Sequence, residues 1–359
     1  MNNNLRLIVM ENIKDLGNKV DLHLQKMLGV EESLIVPIDE VRFNNGEGKI
    51  VLKESIRTRD VFILTDPMNH SITYKMYNYY NHKSPDDHFV DVIRTLCAIR
   101  KQANSTSLVM PFLYASRQHK REGRESLDCA ISLQEYIHQG VKNIITFDVH
   151  DSNVQNAIPS SSFDNFYPTN ILLEKFVTTE DVENENLLAV SPDNGALKRT
   201  RFYANMLGCE LGGHFEKHRD LYKVVDGKNP ILEHEYIGKP VEGKDIIIVD
   251  DMIASGESML DVARELKKRG AGRIYMFSSY AMFTKGVSVF EKAYEEGLFT
   301  KVFVTNLSYI DEEALDKPWL EIADCSEYLA KIIYTFHIGG SVSPILNARS
   351  KVLEEFAKK

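Results

Sequence analysis

Short runs dominated by Val, Ile, Leu and Phe recur along this chain at residues 5–10, 60–65, 108–114, 141–149, 187–190, 245–249, 273–278 and 301–305. A run that is apolar on both of its alternating faces needs cover on both sides, which is the environment of a strand inside a parallel sheet. The intervals carry helical spacing instead, at residues 89–103, 126–139, 196–207 and 258–269. In the last of these, Met259, Val262 and Leu266 share one face while Arg264, Lys267 and Lys268 turn to another. Strand then helix, repeated, predicts an α/β chain of mostly parallel sheets flanked by helices.

A chain of 359 residues exceeds what one core ordinarily supports, and two domains of roughly 150–170 residues are expected. The stretch SSSFDNFYPTN at 160–170 breaks the rhythm with serine, proline and asparagine and is the best crossing between two halves. Residues 69–87 hold Tyr74, Tyr77, Tyr79 and Tyr80 followed by NHKSPDD and read as a loop or a short surface helix. No fixed short period marks a solenoid. No apolar run nears the ~20 residues of a membrane span. The opening MNNNLRLIVMENIKDLG reads as a first strand without a basic leader, so a cytoplasmic protein is expected rather than a secreted one. Cys97, Cys129, Cys209 and Cys325 are scattered without CxxC or Cys/His pairing, which predicts reduced, mostly packed thiols rather than zinc or disulfides. A formal net charge of -9 disfavours nucleic acid as a partner, because phosphate backbones are gripped by basic surfaces. Any phosphate chemistry must then rest on local cations and metal.

The strongest local pattern is DIIIVDDMIASGESMLDVARELKKRG at 245–270: a strand, two acids at its carboxyl end, a small-residue loop and an amphipathic helix. Open α/β sheets bind ligands at that edge. The backbone N–H groups of Ser255, Gly256 and Glu257, the hydroxyls of Ser255 and Ser258, and the helix N-terminus form a candidate phosphomonoester pocket. Asp250 and Asp251 stand where they can hold ribose hydroxyls or a hydrated magnesium. The plainer alternative is that two aspartates end a strand while Ser258 caps a helix with Asp261 three residues on. There is no GxxxxGKS, so a Walker-type cradle for ATP is not expected.

Taken with YASRQHKREGRESL at 114–127, FDVHDSNVQ at 147–155, VSPDNGALKRTR at 190–201 and FNNGE at 43–47, the VDDMIASGES loop resembles the ribose-phosphate pyrophosphokinase family, motif after motif in that family's order. The tail FHIGGSVSPIL at 336–346 is similar to the family's C-terminal segment, so the resemblance covers nearly the whole chain. It implies two phosphoribosyltransferase-like domains, at 1–164 (completed by 330–359) and 165–329, with the active site between them. It also implies magnesium as cofactor, ATP and ribose 5-phosphate as substrates, and a homo-oligomer of dimers built into hexamers.

Carried over residue by residue, the resemblance assigns Arg117, Gln118 and Arg124 to ATP, and His150 to magnesium and the ATP phosphates. Phe43, Asn45 and Glu47 match the turn that in the family reaches a neighbouring subunit's adenine; read alone, they form a plain turn. Asp193, with Asn194 and Gly195, matches a loop that holds the ribose or pyrophosphate, and Asp193 joins His150 as a metal ligand. Asp250, Asp251, Ser255, Gly256, Glu257 and Ser258 match the ribose 5-phosphate site. Lys217 and Arg219, in ELGGHFEKHRD, match the family's catalytic loop if one residue is inserted before them. Their role would be to meet charge building on the transferred diphosphoryl group. The reaction so implied is in-line attack of the anomeric hydroxyl on the β-phosphorus of ATP, releasing AMP.

Four departures stand out. Ala254 replaces an acidic residue and Glu257 a glycine in the phosphate loop, His119 replaces the aspartate of an RQD triplet, and 69–87 is longer than its counterpart and lacks the usual NDN. The changes at Ala254 and Glu257 keep open a catalytically silent, nucleotide-binding regulatory homologue. A phosphoribosyltransferase is a weaker rival, since it needs neither the RQ nor the DVH motif.

Overall fold

The computed structural model describes residues 4–219 and 231–346, without the side chains of 217–219, 231–234 and 346. The chain divides into two compact units, Met1–Pro168 with Asn306–Ile310 and Asp324–Asn347, and Thr169–Thr305 with Asp311–Ala323 and Ala348–Lys359.

The first unit runs β1 (Leu5–Val9), α1 (Lys14–Leu28), β2 (Ile38–Arg42), β3 (Gly48–Leu52), β4 (Asp60–Leu64), β5 (Thr73–Met76), β6 (Tyr79–His82), α2 (Pro85–Ile99), β7 (Ser105–Val109), α3 (Asp128–His138), β8 (Asn143–Phe147) and β9 (Ser162–Phe166). Its central sheet has the order β1-β4-β7-β8-β9, with every neighbouring pair parallel. Ile8, Val61, Ile63, Leu108 and Ile144 are buried in one cluster with Val92 and Leu96 of α2 and Leu133 and Tyr136 of α3. Apolar runs on both faces thus find helix cover, as parallel strands require.

The second unit runs α4 (Thr169–Thr179), β10 (Leu187–Ser191), α5 (Leu197–Leu207), β11 (Glu210–Arg219), β12 (Ile231–Gly238), β13 (Asp245–Ile253), α6 (Glu257–Lys268), β14 (Ile274–Ala281), α7 (Ser288–Glu295), β15 (Lys301–Thr305), α8 (Glu312–Leu315) and β16 (Leu320–Ala323). Its sheet has the order β12-β11-β10-β13-β14-β15-β16, parallel except at β11–β12. Every residue of β14 is buried. The helices α9 (Ser326–His337) and α10 (Ser343–Leu346) lie in segments that rejoin the first unit. There the Asp66 carboxylate accepts from the Ser308 hydroxyl at 2.9 Å and from the Tyr309 N–H at 2.7 Å, which fastens segment 306–310.

Three expectations need correction. The strand expected at 108–114 ends at Val109, and Met110, Phe112 and Leu113 are buried as loop residues; their apolarity reports burial rather than extended backbone. Segment 69–87 is neither loop nor helix in its middle. β5 and β6 pair antiparallel there, and α2 starts at Pro85 behind a reciprocal Ser84–Asp87 capping box. Residues 162–166, read as part of an irregular crossing, form the edge strand β9 against β8.

All four cysteines are free: Cys129 and Cys325 are buried, Cys209 is half-buried and Cys97 is exposed. Among the described residues no helix is long and apolar enough to cross a membrane.

Candidate functional site

In the second unit, β13 runs past the acidic pair to Ile253 and pairs Asp250 with Ser278 of β14, so both acids stand within the last residues of a central strand. Asp251 is buried, and its Oδ1 accepts from the Met252 N–H at 3.0 Å, while Asp250 Oδ1 accepts from the Asp251 N–H at 2.9 Å. Burial, then the charge and hydrogen bond of Asp251, then the charge of Asp193 push the Asp250 carboxyl up to about 8, against a smaller opposing pull from Arg199. Two carboxyls pressed together in a low-dielectric site resist double ionisation and hold a proton between them.

Asp193 comes from the turn after β10. Its Oδ1 accepts from the Ala196 N–H at 3.0 Å, just before α5, and its carbonyl accepts from the Ser191 hydroxyl at 2.7 Å. The carboxyl ends of the adjacent strands β10 and β13 therefore deliver Asp193, Asp250 and Asp251 to one place, with Arg199 as a facing cation.

The small-residue loop follows. Gly256 is the N-cap of α6 at φ 81°, and a Cβ there would stand 2.2 Å from the Phe290 ring, so conformation and space both demand glycine. The alternative in which Ser258 caps the helix is corrected: the helix begins at Glu257 with no side-chain cap, leaving the first N–H groups of α6 without that partner. Glu257 is exposed, and its carboxylate pairs with Lys285 at 2.6 Å and accepts weakly from the Ser255 hydroxyl at 3.5 Å. Lys285 sits on a loop 28 residues downstream and carries no local pattern, so nothing in the sequence marks it.

In the first unit, the loop after β7 carries Arg117 and Gln118, and the loop after the neighbouring β8 carries His150. Gln118 is fixed on both sides: its N–H donates to Ala115 O at 2.9 Å and its Nε2 to Ser126 O at 3.0 Å. Arg117, Arg124 and His150 are exposed. The His119 ring meets His150 edge-on with centroids 5.5 Å apart, and its Nε2 lies 3.4 Å from Asp151 Oδ2. The buried His119 Nδ1 has no partner among the described residues. Asp148, just before His150, is buried at φ 38°, a left-handed backbone that non-glycine residues hold only where the surroundings enforce it. Its N–H donates to Phe166 O at 2.8 Å.

Phe43, Asn45 and Glu47 lie on the turn joining β2 to β3. Phe43 is 47% exposed. Asn45 Nδ2 donates to Glu47 Oε2 at 2.8 Å, and Glu47 N–H to Asn45 Oδ1 at 3.2 Å. Lys217 and Arg219 fall at the end of β11, Lys217 in register with His234; their side chains lie outside the described residues. Among the described residues, no cluster of three or more His, Cys, Asp and Glu side chains is arranged to hold a metal unaided.

Residues 5–140 match the family model of the N-terminal domain of ribose phosphate pyrophosphokinase, and residues 215–347 match that of the phosphoribosyl synthetase-associated domain. The chain is 28% identical over 330 residues to the ribose-phosphate pyrophosphokinase of Prochlorococcus marinus, covering 90% of this chain and 89% of that protein. It is also 28% identical over 347 residues to that of Synechococcus elongatus, covering 95% and 93%. The chain belongs to the ribose-phosphate pyrophosphokinase family. Its fold is similar to that of the phosphoribosylpyrophosphate synthetase from Mycobacterium smegmatis, with a TM-score of 0.77 at 22% identity over 94% of this chain and 100% of that one. The α/β architecture is thus the two-domain, phosphoribosyltransferase-like one of ribose-phosphate pyrophosphokinases.

Proposed function

We propose that this chain transfers the β,γ-diphosphoryl group of ATP to the anomeric hydroxyl of ribose 5-phosphate. The observation that carries the proposal is the convergence of Asp193, Asp250 and Asp251 at the carboxyl ends of adjacent strands, with α6 starting just after the acidic pair without a side-chain cap, in a chain with this family membership. The hydroxyl oxygen bonds to the β-phosphorus, the bond from that phosphorus to the α,β-bridging oxygen breaks, AMP leaves with the electron pair, and the hydroxyl proton passes to solvent. The N–H groups of Ser255, Gly256 and Glu257 hold the 5-phosphate, and Asp250 and Asp251 accept from the ribose hydroxyls. Arg117, Gln118, Arg124 and His150 hold the ATP phosphates, while Phe43, Asn45 and Glu47 take the adenine. Lys217 and Arg219 face the charge that grows on the transferred group.

Magnesium fits this donor set. The carboxylates are hard oxygen ligands, and their mutual repulsion at Asp250 is relieved by a divalent cation as by a proton. An ion that keeps several waters and shares substrate phosphates needs only one or two protein ligands, which His150 and Asp193 would supply. Bound there, it would neutralise charge on the phosphates. The same reading makes the protein a cytoplasmic homo-oligomer, with hexamers built from dimers.

The Glu257 departure bears on the silent-homologue rival, because a carboxylate aimed at the 5-phosphate would repel it. Pairing with Lys285 at 2.6 Å gives that carboxylate a cationic partner that offsets its charge. Glu257→Gln should therefore change ribose 5-phosphate affinity little, whereas Ser258→Ala should weaken it by roughly 1–3 kcal/mol, typical of a hydrogen bond to a charged group. Calorimetric titration of both variants checks this. A tenfold tightening in Glu257→Gln would mean that the carboxylate faces the phosphate, and would favour the silent homologue.

A further inference from the structure

The antiparallel hairpin β5–β6 has no part in the reaction above, yet it is built against the turn assigned to the nucleobase. We propose that this hairpin positions residues 43–47 for base binding, with Met76 as the positioning residue; the inference rests on the base-binding reading of Phe43, Asn45 and Glu47.

The turn is closed by Phe43 N–H to Glu47 O and by Gly46 N–H to Phe43 O, both at 2.8 Å. Gly46 has φ 92°, and the place its Cβ would take lies 2.5 Å from Met76 Sδ. The thioether of β5 thus fills the hollow that the glycine leaves. At the hairpin tip, the Tyr77 N–H donates to Asn44 O at 3.0 Å. Arg42 Nη1 also donates to Gly46 O at 3.2 Å, and its guanidinium stacks over the Tyr74 ring of the hairpin at 4.9 Å. Arg42 is itself clamped by Asp87 at 3.2 Å and Asp91 at 2.8 Å, and Asp91 also pairs with buried Lys83, just after β6, at 3.0 Å. Each element that touches the turn is therefore anchored to the body of the first unit.

Two further observations point the same way. The hairpin turns on Tyr77 at φ 46° and Asn78 at φ 67°, the two left-handed residues of a type I′ turn. Asparagine tolerates that conformation and tyrosine resists it, so strain is kept at the residue whose N–H reaches Asn44. In addition, Tyr77, Tyr79 and Tyr80 are 70–77% exposed. An isolated two-stranded hairpin is marginal, and this one gains little from burying its own rings. Its packing is concentrated at Tyr74 and Met76, against the turn and Arg42. Holding the turn in one conformation before ATP arrives lowers the ordering cost of binding.

The test compares Met76→Ala, Met76→Leu and Phe43→Ala with wild type, using Tyr80→Ser as a control on the exposed part of the hairpin. ATP affinity is read by calorimetry, kcat and the KM for ribose 5-phosphate by AMP release at saturating ATP, and turn order by hydrogen exchange at the Phe43 and Gly46 amides. The expected result is an ATP affinity weakened about five- to tenfold in Met76→Ala, the scale of ordering a few side chains. Amide exchange should quicken, while kcat and the ribose 5-phosphate KM stay unchanged. Met76→Leu should restore most of the affinity, and Tyr80→Ser should bind ATP as wild type does. Unaltered affinity in Met76→Ala, with Phe43→Ala clearly weakened, overturns the inference alone, as does a loss in Met76→Ala spread equally over kcat and both substrates. Unaltered affinity in Phe43→Ala overturns the base-binding reading and this inference with it.

Discussion

Replacing Lys217 by alanine is expected to lower turnover by about two to three orders of magnitude, the range seen when one preorganised charge-stabilising donor is removed, while ATP binds nearly as before. In phosphoryl transfer the protein does little covalent chemistry. Its contribution is placement plus charge set against the oxygens of the group in flight. A cation that meets charge present only at the transition state contributes to kcat and not to ground-state binding. Lys217 lies at the end of β11, the strand next to the one that leads to Asp193. Arg219, assigned the same role, should show a loss of the same kind. Rapid-quench measurement of AMP formation, beside calorimetric titration with ATP, separates the two quantities. Unchanged turnover in Lys217→Ala would remove it from the site.

Asp250→Asn is expected to abolish most activity while making the folded protein more heat-stable at pH 8. Burial and the neighbouring carboxylates hold the Asp250 carboxyl protonated to about pH 8 in the folded chain, whereas it ionises near pH 4 when unfolded. Between those values the unfolded chain binds fewer protons, so stability falls as pH rises through the window. Asparagine does not ionise and removes that slope. The gap between variant and wild type should thus be small at pH 5 and widen toward pH 8, reaching a melting midpoint higher by roughly 3–6 °C. Activity should fall about a hundredfold, since an amide cannot give up a proton to become the charged acceptor that the ribose hydroxyls meet. Melting curves over that pH range check the first half. A variant less stable than wild type at pH 8 would show that the acidic pair is not under electrostatic strain. Keeping a strained pair fits a site whose charge is completed by ligands.

The buried strands were legible because parallel sheets need residues apolar on both faces, and 245–249, 273–278 and 301–305 supply them. The hairpin at 73–82 was hidden for the opposite reason: its faces are exposed or pack on a turn, so neither period shows, and Tyr77–Asn78 lacks the usual Asn-Gly signal. Edge strand β9, sequence SFDNF, is only half-buried over most of its length and read as irregular. At the phosphate loop, Ser258 and Asp261 mimic a capping box, but Gly256 at positive φ starts the helix instead. The carboxylate pair was legible as a motif, whereas the approach of Asp193 and Arg199 to it depends on β10 lying beside β13, a pairing that no local spacing reveals. Likewise Lys285 meets Glu257 only through the fold.

The central claim is tested most directly by incubating the purified protein with ATP, ribose 5-phosphate and magnesium and resolving the nucleotides by chromatography. Transfer of the diphosphoryl group predicts AMP and phosphoribosyl pyrophosphate in equal amounts, no ADP, and no AMP when ribose 5-phosphate is left out. ADP as the product, or intact ATP in a protein that still binds it by calorimetry, would contradict the account.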